Sequence, residues 1–310
     1  MILVRTAAAF PFDRVRDGSV ATIGAYDGLH LGHQKLLQTL TDTARARDLP
    51  SVVMSFEPMP REYFSAARPP ARLMRFREKF EALESAGIDI FFCPRFGPAM
   101  RQVNVDTFIR QMLIHAMNVR DLVVGDDFQF AANREGNVGH LQRAGRALGF
   151  SVHRVSSVIS QSERVSSTAV RKALAAGELS VAQRLLGRPY SMSGKVIRGE
   201  NVGRKLGFPT ANVNLQRRQS AVMGIFAVRV RGLGNRPLDA VASVGTRPTF
   251  DGTKPILEVH IFDFDEDIYG RYINVDFIER LRDERRFASA DALVEQMHRD
   301  SQQARDVLAA

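Results

Sequence analysis

The feature that most constrains the fold is a change in hydrophobic pattern partway along the 310-residue chain. Before residue 184, short apolar runs alternate with amphipathic stretches whose apolar residues recur every three or four positions. After residue 190, apolar runs follow one another with Gly, Pro and Asp between them. The first pattern predicts a Rossmann-like α/β domain with a parallel sheet, and the second predicts an all-β barrel or sandwich. We therefore expect two domains, at 1–184 and 185–310.

Five short apolar runs in the first half predict strands at 20–23, 51–56, 90–93, 122–124 and 152–155. Two helical faces lie between them, one with Leu36, Leu37, Leu40 and Ala44 and the other with Val105, Phe108, Ile109, Met112 and Leu113. Helices over 168–176, ending at Gly177, and over 181–186, capped by Ser180, are predicted to close this half. The second half has predicted strands at 191–196, 224–230, 240–244, 256–262 and 271–277, and a final helix after Ser289.

The net charge of +9 is spread over both halves, without the dense Lys/Arg run of a typical nucleic-acid binder. We therefore expect small anionic ligands such as nucleotides, and no nucleic-acid partner. No stretch reaches the roughly 18 apolar residues of a membrane span, and no signal peptide is evident, so we expect a cytoplasmic protein with no membrane partner. The single cysteine, Cys93, lies in an apolar run and is expected to be buried in the core.

The histidine loop, defined here as residues 24–33, is the strongest candidate for chemistry in the first half. It follows a predicted strand and ends in His30-Leu31-Gly32-His33. A helix beginning here offers unpaired backbone N–H groups, and the imidazoles add donors for a phosphate. This suits nucleotidyl transfer, in which negative charge develops on phosphorus and no separate acid or base is required. The histidines could instead simply cap the helix, while a zinc site lacks a Cys or acidic partner at suitable spacing.

A second element in the first half favours the same chemistry. Ser167 and Thr168 place hydroxyl groups at the start of a predicted helix, and Arg171 follows one turn later. Hydroxyls and helix amides can hold phosphates, and Arg171 can neutralise a departing pyrophosphate. The alternative is an ordinary helix cap with a solvent-facing arginine.

Five motifs follow one another between residues 20 and 190. They are Gly24-Ala25-Tyr26-Asp27-Gly28-Leu29-His30-Leu31-Gly32-His33, Phe56-Glu57-Pro58-Met59-Pro60-Arg61-Glu62, Val124-Gly125-Asp126-Asp127-Phe128-Gln129-Phe130, Ser166-Ser167-Thr168-x-x-Arg171 and Leu186-Gly187-Arg188-Pro189-Tyr190. In this order they resemble the bacterial bifunctional riboflavin kinase/FAD synthetase family. The histidine motif is shared with other nucleotidyltransferases, whereas the second and third motifs narrow the match to flavin adenylylation.

The resemblance implies roles for the matching residues in the first half. ATP would contact Gly24, Asp27, His30, Gly32, His33, Ser167, Thr168 and Arg171, of which His30, His33 and Arg171 are implied to be catalytic. FMN would lie against Pro58, Pro60, Asp127, Phe128 and Arg164. From the residues alone, the prolines could equally form a rigid loop and Phe128 could be a core side chain.

The chain departs from the family pattern at several positions in this half. It has Ala25 where Asn is usual, Tyr26 for Phe, Gln129 for Arg, Ala131 for Gly and Ala169 for Arg. Ala25 removes a side-chain amide that could orient ATP. We therefore expect an effect on the rate or affinity of adenylylation and none on the type of reaction.

The second candidate site is Gly203-Arg204-Lys205-Leu206-Gly207-Phe208-Pro209-Thr210-Ala211-Asn212. The glycines let the backbone approach phosphates, and Arg204 and Lys205 can balance their charge. Thr210 and Asn212 supply neutral oxygen ligands of the kind that Mg²⁺ accepts. Pro209 forces the preceding residue into an extended conformation, so a structural turn with a basic tip is the alternative.

This stretch resembles the riboflavin kinase signature of the same family, and segments 227–228, 244–250, 257–260, 269–270 and 282–284 agree with it. The resemblance implies a six-stranded Greek-key barrel over about 185–310 with a terminal helix. It places ATP at Gly203, Arg204, Lys205, Gly207, Thr210 and Asn212, the metal at Thr210 and Asn212, and the flavin at Glu258 and Arg282.

Glu258 matches the family's general base. On a strand its side chain would point away from those of its neighbours Leu257 and Val259, toward the site. Without the match, an exposed glutamate on a half-buried strand is the commoner case. Phe226 stands where the family usually has Tyr, and only a small packing effect is expected from it.

The resemblance as a whole implies an enzyme of FAD biosynthesis that uses ATP and Mg²⁺. The barrel would phosphorylate riboflavin to FMN and release ADP, and the α/β domain would adenylylate FMN to FAD and release pyrophosphate. A homo-oligomer is compatible with the sequence. Two alternatives are a riboflavin kinase with a weakened adenylyltransferase domain, and a flavin-sensing regulator without catalysis.

Overall fold

A computed structural model describes residues 1–199, 203, 206–249 and 252–310, and the chain divides into two compact units. The first unit contains Met1–Pro70 and Phe76–Val165, and the second contains Ala71–Arg75 and Ser166–Ala310. The predicted domain limits at 1–184 and 185–310 stay a prediction.

The first unit alternates strands with helices. Its strands are β1 (Ile2–Val4), β2 (Ser19–Ile23), β3 (Ser51–Met54), β4 (Ile90–Phe92), β5 (Val119–Gly125), β6 (Gln129–Phe130), β7 (Gly136–Asn137), β8 (Ser151–Val155), β9 (Ile159–Ser160) and β10 (Glu163–Arg164). Its helices are α1 (Leu31–Arg47), α2 (Pro60–Phe64), α3 (Phe76–Ser85), α4 (Pro98–Arg101), α5 (Val105–Phe108) and α6 (Val138–Leu148). A π-helical segment, Ile109–Ala116, continues α5.

A six-stranded parallel sheet in the order β1-β4-β3-β2-β5-β8 forms the centre of the first unit. Every residue of β2, β3 and β4 is buried. Strands covered on both faces place successive side chains in the core, so these strands are mostly apolar, with Ser19, Thr22 and Ser51 as buried polar exceptions. The predicted parallel α/β sheet is confirmed.

Amphipathic helices cover this sheet with the faces that their spacing predicts. Leu37, Leu40 and Ala44 of α1 are buried, as are Phe108 and Leu113 around the junction of α5 and the π-helical segment. Cys93 is only 1% exposed, and burial raises the pKa of its thiol to about 11. The cysteine is therefore a core residue, as predicted.

The second unit combines two short helices, a barrel and a terminal helix. Its elements are α7 (Ser167–Ala176), α8 (Leu179–Leu186), β11 (Tyr190–Ile197), β12 (Ala211–Asn214), β13 (Gly224–Arg231), β14 (Leu238–Thr249), β15 (Gly252–Ile261), β16 (Tyr272–Arg282) and α9 (Ala290–Ala309). The strands close in the order β11-β12-β15-β14-β13-β16, and each neighbouring pair is antiparallel. The predicted all-β barrel with a terminal helix is confirmed.

The segment Ala71–Arg75 packs within the second unit although the sequence around it belongs to the first. Arg75 is 8% exposed and donates to the carbonyl oxygen of Ser193 on β11 at 2.7 Å. Arg217 donates to the carbonyl oxygens of Arg72 at 2.5 Å and Leu73 at 3.3 Å. Buried guanidinium groups that satisfy backbone carbonyls fix this segment, and no hydrophobic pattern in the sequence reveals such a connection.

Several predicted element limits differ from the observed ones. Helix α8 begins at Leu179 with Glu178 as its N-cap, so the predicted cap at Ser180 is wrong. The same helix ends at Gly187, as predicted. Strands β1 and β12 were not predicted, because a three-residue edge strand and a strand reading Ala-Asn-Val-Asn give almost no hydrophobic signal.

Candidate active sites

The histidine loop lies where the order of the parallel sheet changes direction. It leaves the end of β2, whose neighbours are β3 on one side and β5 on the other, and it runs into α1. The crevice outside the carboxyl ends of strands at such a switch point is the usual ligand site of open α/β sheets. The fold therefore places the predicted phosphate loop where this architecture binds ligands.

The backbone of the histidine loop is held in a conformation that few residues adopt. Tyr26, Gly28 and Leu29 all have positive φ angles, of 49°, 89° and 41°. A Cβ atom on Gly32 would lie 3.2 Å from Cε1 and Nδ1 of the His30 ring. The glycine therefore lets the imidazole lie against the first turn of α1, and strained backbone of this kind clusters at functional sites.

His30 is the N-cap of α1, and its ring is tied to His33. The backbone N–H of His33 donates to Nδ1 of His30 at 3.3 Å, and the two rings are stacked with centroids 3.7 Å apart. Because Nδ1 accepts, the neutral His30 ring carries its proton on Nε2 and can donate from that atom. The geometry of His30 is therefore compatible with both interpretations, that it caps the helix and that it donates to a phosphate.

The His33 imidazole is held in its neutral form. Burial lowers its pKa well below the usual value, and the electrostatic effects of the neighbouring His30 and Lys79 lower it further. Within the described part of the chain, the buried Nδ1 atom of His33 has no hydrogen-bond partner. A ligand bound at this predicted site could form the hydrogen bond that Nδ1 of His33 lacks.

Tyr26 packs beneath the two histidines. Its side chain is fully buried, its ring centroid is 5.1 Å from that of His33, and its hydroxyl group lies 2.7 Å from Oγ1 of Thr22. Burial raises the pKa of the phenol. The hydroxyl that distinguishes Tyr26 from the usual Phe is therefore satisfied by Thr22, which explains why this departure is accommodated.

Lys79, which sequence reasoning missed, lies beside the histidine loop. It belongs to α3, is 2% exposed, and donates from Nζ to the carbonyl oxygen of Ala25 at 2.6 Å. The hydroxyl group of Ser55 donates to the same carbonyl at 3.4 Å. A lysine on the buried face of an amphipathic helix is the one signal in the sequence that could have identified it.

The predicted FMN residues Asp127, Phe128 and Arg164 lie in the first unit. Arg164 forms an ion pair with Asp127 at 2.6 Å, and both side chains are at least half exposed. The Phe128 ring stacks on Phe130 at 5.7 Å. Because Asp127 follows β5, the neighbour of β2, it extends from the same edge of the sheet as the histidine loop.

Pro58 and Pro60 precede a cluster of aromatic rings that sequence reasoning also missed. Pro60 is the first residue of α2, which carries Tyr63 and Phe64. The rings of Tyr63 and Phe64 pack against Phe96 at 5.3 and 5.7 Å, and Phe64 is 61% exposed. An exposed aromatic surface beside a proline loop suits a flat ring system.

Ser167, Thr168 and Arg171 belong to the second unit, where they begin α7. The N-cap is Ser166, whose hydroxyl group accepts from the backbone N–H of Ala169 at 3.1 Å. Arg171 donates to the carbonyl oxygen of Ala71 at 2.7 Å and to that of Ser167 at 3.1 Å. These contacts anchor the guanidinium group within its own unit.

In the barrel, Asn212 on β12 lies directly opposite Glu258 on β15. Leu257 and Val259 are both fully buried, whereas Glu258 is partly exposed, so the carboxylate projects from the opposite face of the strand. Paired residues of antiparallel strands share a face. The amide of Asn212 and the carboxylate of Glu258 therefore lie side by side, and the predicted orientation of Glu258 is confirmed.

Glycines allow the polar side chains of this barrel site to lie against the backbone. A Cβ atom on Gly199 would lie 2.3 Å from Nδ2 of Asn212, and one on Gly203 would lie 3.0 Å from Oγ1 of Thr210. Gly207 has a positive φ of 86°. The predicted phosphate-binding residues Arg204 and Lys205 lie outside the described residues.

Glu284 lies beside the barrel site and was not predicted to be part of it. Burial raises the pKa of its carboxyl group, the charge of Arg282 lowers it, and the charge of Glu258 raises it again. A Cβ atom on Gly245 would lie 2.2 Å from Oε1 of Glu284, so the carboxylate covers that glycine. Two carboxylates are thus close enough to influence one another.

Arg282, the other predicted flavin residue, has its guanidinium group bound to Asp300 of α9 at 2.9 and 2.7 Å. Asp300 is 4% exposed. This ion pair joins the end of β16 to the terminal helix. The predicted flavin role of Arg282 stays a prediction.

The barrel site has donors that fit Mg²⁺. Among the described residues, no group of three or more His, Cys, Asp or Glu side chains could hold a metal ion. A cation here would depend instead on the neutral oxygens of Thr210 and Asn212, on the nearby carboxylate of Glu258, and on phosphates and water. Mg²⁺ is commonly held by few protein ligands together with substrate phosphates, so these residues fit it.

Known proteins match both halves of the chain. The family model for FAD synthetase matches residues 13–169, and the family model for riboflavin kinase matches residues 186–308. A bifunctional riboflavin kinase/FMN adenylyltransferase of Escherichia coli K12 is 46% identical over 94% of this chain and 93% of its own length. That of Haemophilus influenzae is 42% identical over 94% of this chain and 95% of its own.

The chain belongs to the bifunctional riboflavin kinase/FMN adenylyltransferase family.

The likeness to known proteins extends to the fold. A Streptococcus pneumoniae crystal structure named as a macrolide-efflux protein superposes with a TM-score of 0.82 and 31% identity, covering 98% of each chain. Among the described helices, none combines the length and apolar character needed to span a bilayer. The likeness is one of architecture.

Proposed function

We propose that this chain phosphorylates riboflavin to FMN in the barrel of its second unit and adenylylates FMN to FAD at the histidine loop of its first unit, using one ATP for each step. The observation that carries the proposal is that each region presents the groups its reaction needs. His30, which is stacked on His33, caps a helix at the switch point of a parallel sheet. In the barrel, Glu258 lies opposite Asn212.

In the kinase step, Glu258 acts as the general base. Its carboxylate accepts the proton of the terminal ribityl hydroxyl group as that oxygen attacks the γ-phosphorus of ATP. The bond from the γ-phosphorus to its bridging oxygen breaks, and ADP leaves. Thr210 and Asn212 position the phosphates, and Gly203 lets the backbone approach them. Mg²⁺ bound with these groups would offset phosphate charge.

In the adenylylation step, a phosphate oxygen of FMN attacks the α-phosphorus of ATP and pyrophosphate leaves. Nε2–H of His30 and the backbone N–H groups at the start of α1 stabilise the negative charge that develops. The unsatisfied nitrogen of His33 provides a further position for a hydrogen bond to phosphate. Ser167, Thr168 and Arg171 are proposed to hold the departing pyrophosphate.

The flavin of the second step is proposed to lie against Pro58, Pro60 and Phe128, with the ion pair of Asp127 and Arg164 at its edge. The exposed ring of Phe64 adds apolar surface beside the prolines. Flat aromatic ligands gain affinity from contact with aromatic and proline side chains, so this surface would orient the ring system while the phosphate reaches the histidine loop.

We further propose that Mg²⁺ is required for both reactions and that the enzyme works in the cytoplasm, without nucleic-acid or membrane partners. The neutral oxygen donors of Thr210 and Asn212 support the metal requirement of the kinase step. A homo-oligomer remains compatible with the sequence, and sedimentation of the purified protein would determine its state.

The deciding experiment incubates the purified chain with riboflavin, ATP and Mg²⁺ and follows riboflavin, FMN and FAD by chromatography. We expect FMN to rise first and FAD to follow. A reaction that stops at FMN would support a kinase with an inactive adenylyltransferase domain. Flavin binding without consumption of ATP would overturn the enzyme proposal in favour of a flavin-sensing regulator.

A further inference from the structure

Lys79 is buried where the first unit would receive the phosphates of ATP. Its side chain is 2% exposed, and its ammonium group donates to the carbonyl oxygen of Ala25 at 2.6 Å. Ala25 is the second residue of the histidine loop, directly before the three residues with positive φ at Tyr26, Gly28 and Leu29. A rigid helix, α3, thus supports the point at which this strained loop leaves β2.

The charge of Lys79 also acts on the residues around the loop. It lowers the pKa of His33, after the larger effects of burial and of His30, and it lowers the pKa of the Cys93 thiol against a larger rise from burial. The ammonium group therefore acts on both the core and the histidine pair. The triphosphate of ATP would bring negative charge to the loop that this group supports.

We propose that Lys79 is a positioning residue of FMN adenylylation, which holds the Ala25 carbonyl so that the histidine loop is open to ATP and adds its positive charge beneath the phosphates. This inference rests on the proposed adenylyltransferase function of the histidine loop. The ammonium group acts through the loop and through its electric field, and it takes no part in bond making. Its effect should therefore depend on charge and should fall on ATP more than on FMN.

The test uses the full-length protein with Lys79→Met, which keeps the length and apolar stem of the side chain and removes its charge. We expect kcat/KM for ATP in FAD formation to fall about tenfold or more, as for loss of a charge-assisted hydrogen bond. The KM for FMN and the rate of riboflavin phosphorylation should stay within about twofold of the wild type. Lys195→Met, at an exposed lysine of β11, is the matched control and should leave FAD formation unchanged.

Two further measurements separate positioning from simple structural support. The Tm of Lys79→Met should fall by only a few degrees, because the carbonyl of Ala25 loses its buried donor, and it should stay well above the temperature of the assay. Lys79→Arg, which keeps the charge, should retain most of the wild-type kcat/KM for ATP.

Two results would overturn the inference: FAD formation by Lys79→Met at the wild-type kcat/KM for ATP, or an equal loss of activity in Lys79→Arg. Wild-type protein that makes no FAD from FMN would instead refute the adenylyltransferase function itself. The two failures are therefore distinguishable.

Discussion

The histidine loop and the barrel site are both proposed to bind the phosphates of ATP, yet their functional groups are related to the fold in different ways. At the histidine loop, His30 caps α1, stacks on His33 and accepts its backbone hydrogen bond. At the barrel site, Glu258 projects from the wall while its strand is held by backbone pairing and by the buried side chains of Leu257 and Val259. The side chains of the first site therefore also stabilise the fold. Glu258 instead extends from a strand that other contacts hold in place, and we call such a side chain displayed.

This difference has a consequence for mutation. Removing a displayed side chain deletes chemistry and leaves the scaffold intact. Removing a side chain that also caps a helix deletes chemistry and weakens the scaffold at once. Activity and stability should therefore separate in the barrel and fall together at the histidine loop.

The largest expected effect is that of Glu258→Gln. Loss of a general base should lower the rate of riboflavin phosphorylation by about 10²–10⁴-fold. The Tm and the rate of FAD formation from FMN should not change, because the strand pairing of β15 does not involve the carboxylate. Chromatography of both reactions and thermal unfolding measure this.

Glu279→Gln, an exposed glutamate on β16, is the matched control for that prediction. It should behave as wild type in both reactions. If Glu258→Gln lowered FAD formation from FMN as strongly as FMN formation, the two sites would not be chemically independent and the comparison would fail.

His30→Ala is expected to have the next largest effect. Removing one donor to the developing charge should lower the rate of FAD formation about 10²–10³-fold. Unlike Glu258→Gln, it should also lower the free energy of unfolding, by about 1 kcal/mol, because the N-cap of α1 is lost. Steady-state kinetics and denaturant unfolding report the two effects.

His115→Ala, at an exposed position, controls for the loss of an imidazole as such. It should leave both FAD formation and stability unchanged. Full stability in His30→Ala would show that the ring is displayed and not structural, and unchanged FAD synthesis would remove the argument for the first site.

The sequence was sufficient for the parts of the fold that hydrophobic periodicity encodes. The buried strands β2, β3 and β4 are mostly apolar, and apolar and polar residues alternate in the barrel strand around Glu258, so both architectures could be predicted. The positions of His30 and Glu258 followed from the elements that carry them. These successes depend on neighbours within one strand or one helix turn.

The parts that could not be predicted depend on contacts between residues distant in sequence. Lys79 lies 54 residues after Ala25, and Arg75 lies 118 residues before Ser193, yet each pair shares a hydrogen bond. Strand β12 is held by pairing with β11 and β15, and its residues carry little apolar signal. A local pattern cannot report such contacts, since tertiary packing decides them.

The His33 imidazole provides a third test, through pH. Its pKa is lowered in the folded protein, mainly by burial, so the unfolded chain binds its proton more tightly. Stability is therefore lost as pH falls below about 6.5, by up to about 1.4 kcal/mol per pH unit for this one group. The difference in unfolding free energy between pH 7.5 and 5.5 should be smaller in His33→Gln than in the wild type.

Glu279→Gln is the comparison protein for that measurement, since loss of an exposed carboxylate on β16 should leave the acid sensitivity as it is in the wild type. ATP should reduce the acid sensitivity of the wild type, because phosphate oxygens would stabilise protonated His33. Equal pH dependence in the wild type and His33→Gln would show that the imidazole is not held neutral by the fold.

The smallest expected effect concerns Ala131, which follows β6 and stands where the family usually has Gly. Its φ of 66° and ψ of −176° lie in a region that favours glycine, so the alanine stores backbone strain. Ala131→Gly should raise the free energy of unfolding by about 1 kcal/mol, because relief of strain outweighs the greater entropy of the unfolded chain. Ala132→Gly, within a 3₁₀ turn, should lower it instead. If Ala131→Gly also changes the KM for FMN, the strained backbone helps to position Asp127 and Phe128. The first site would then depend on the backbone of the fold as well as on its side chains.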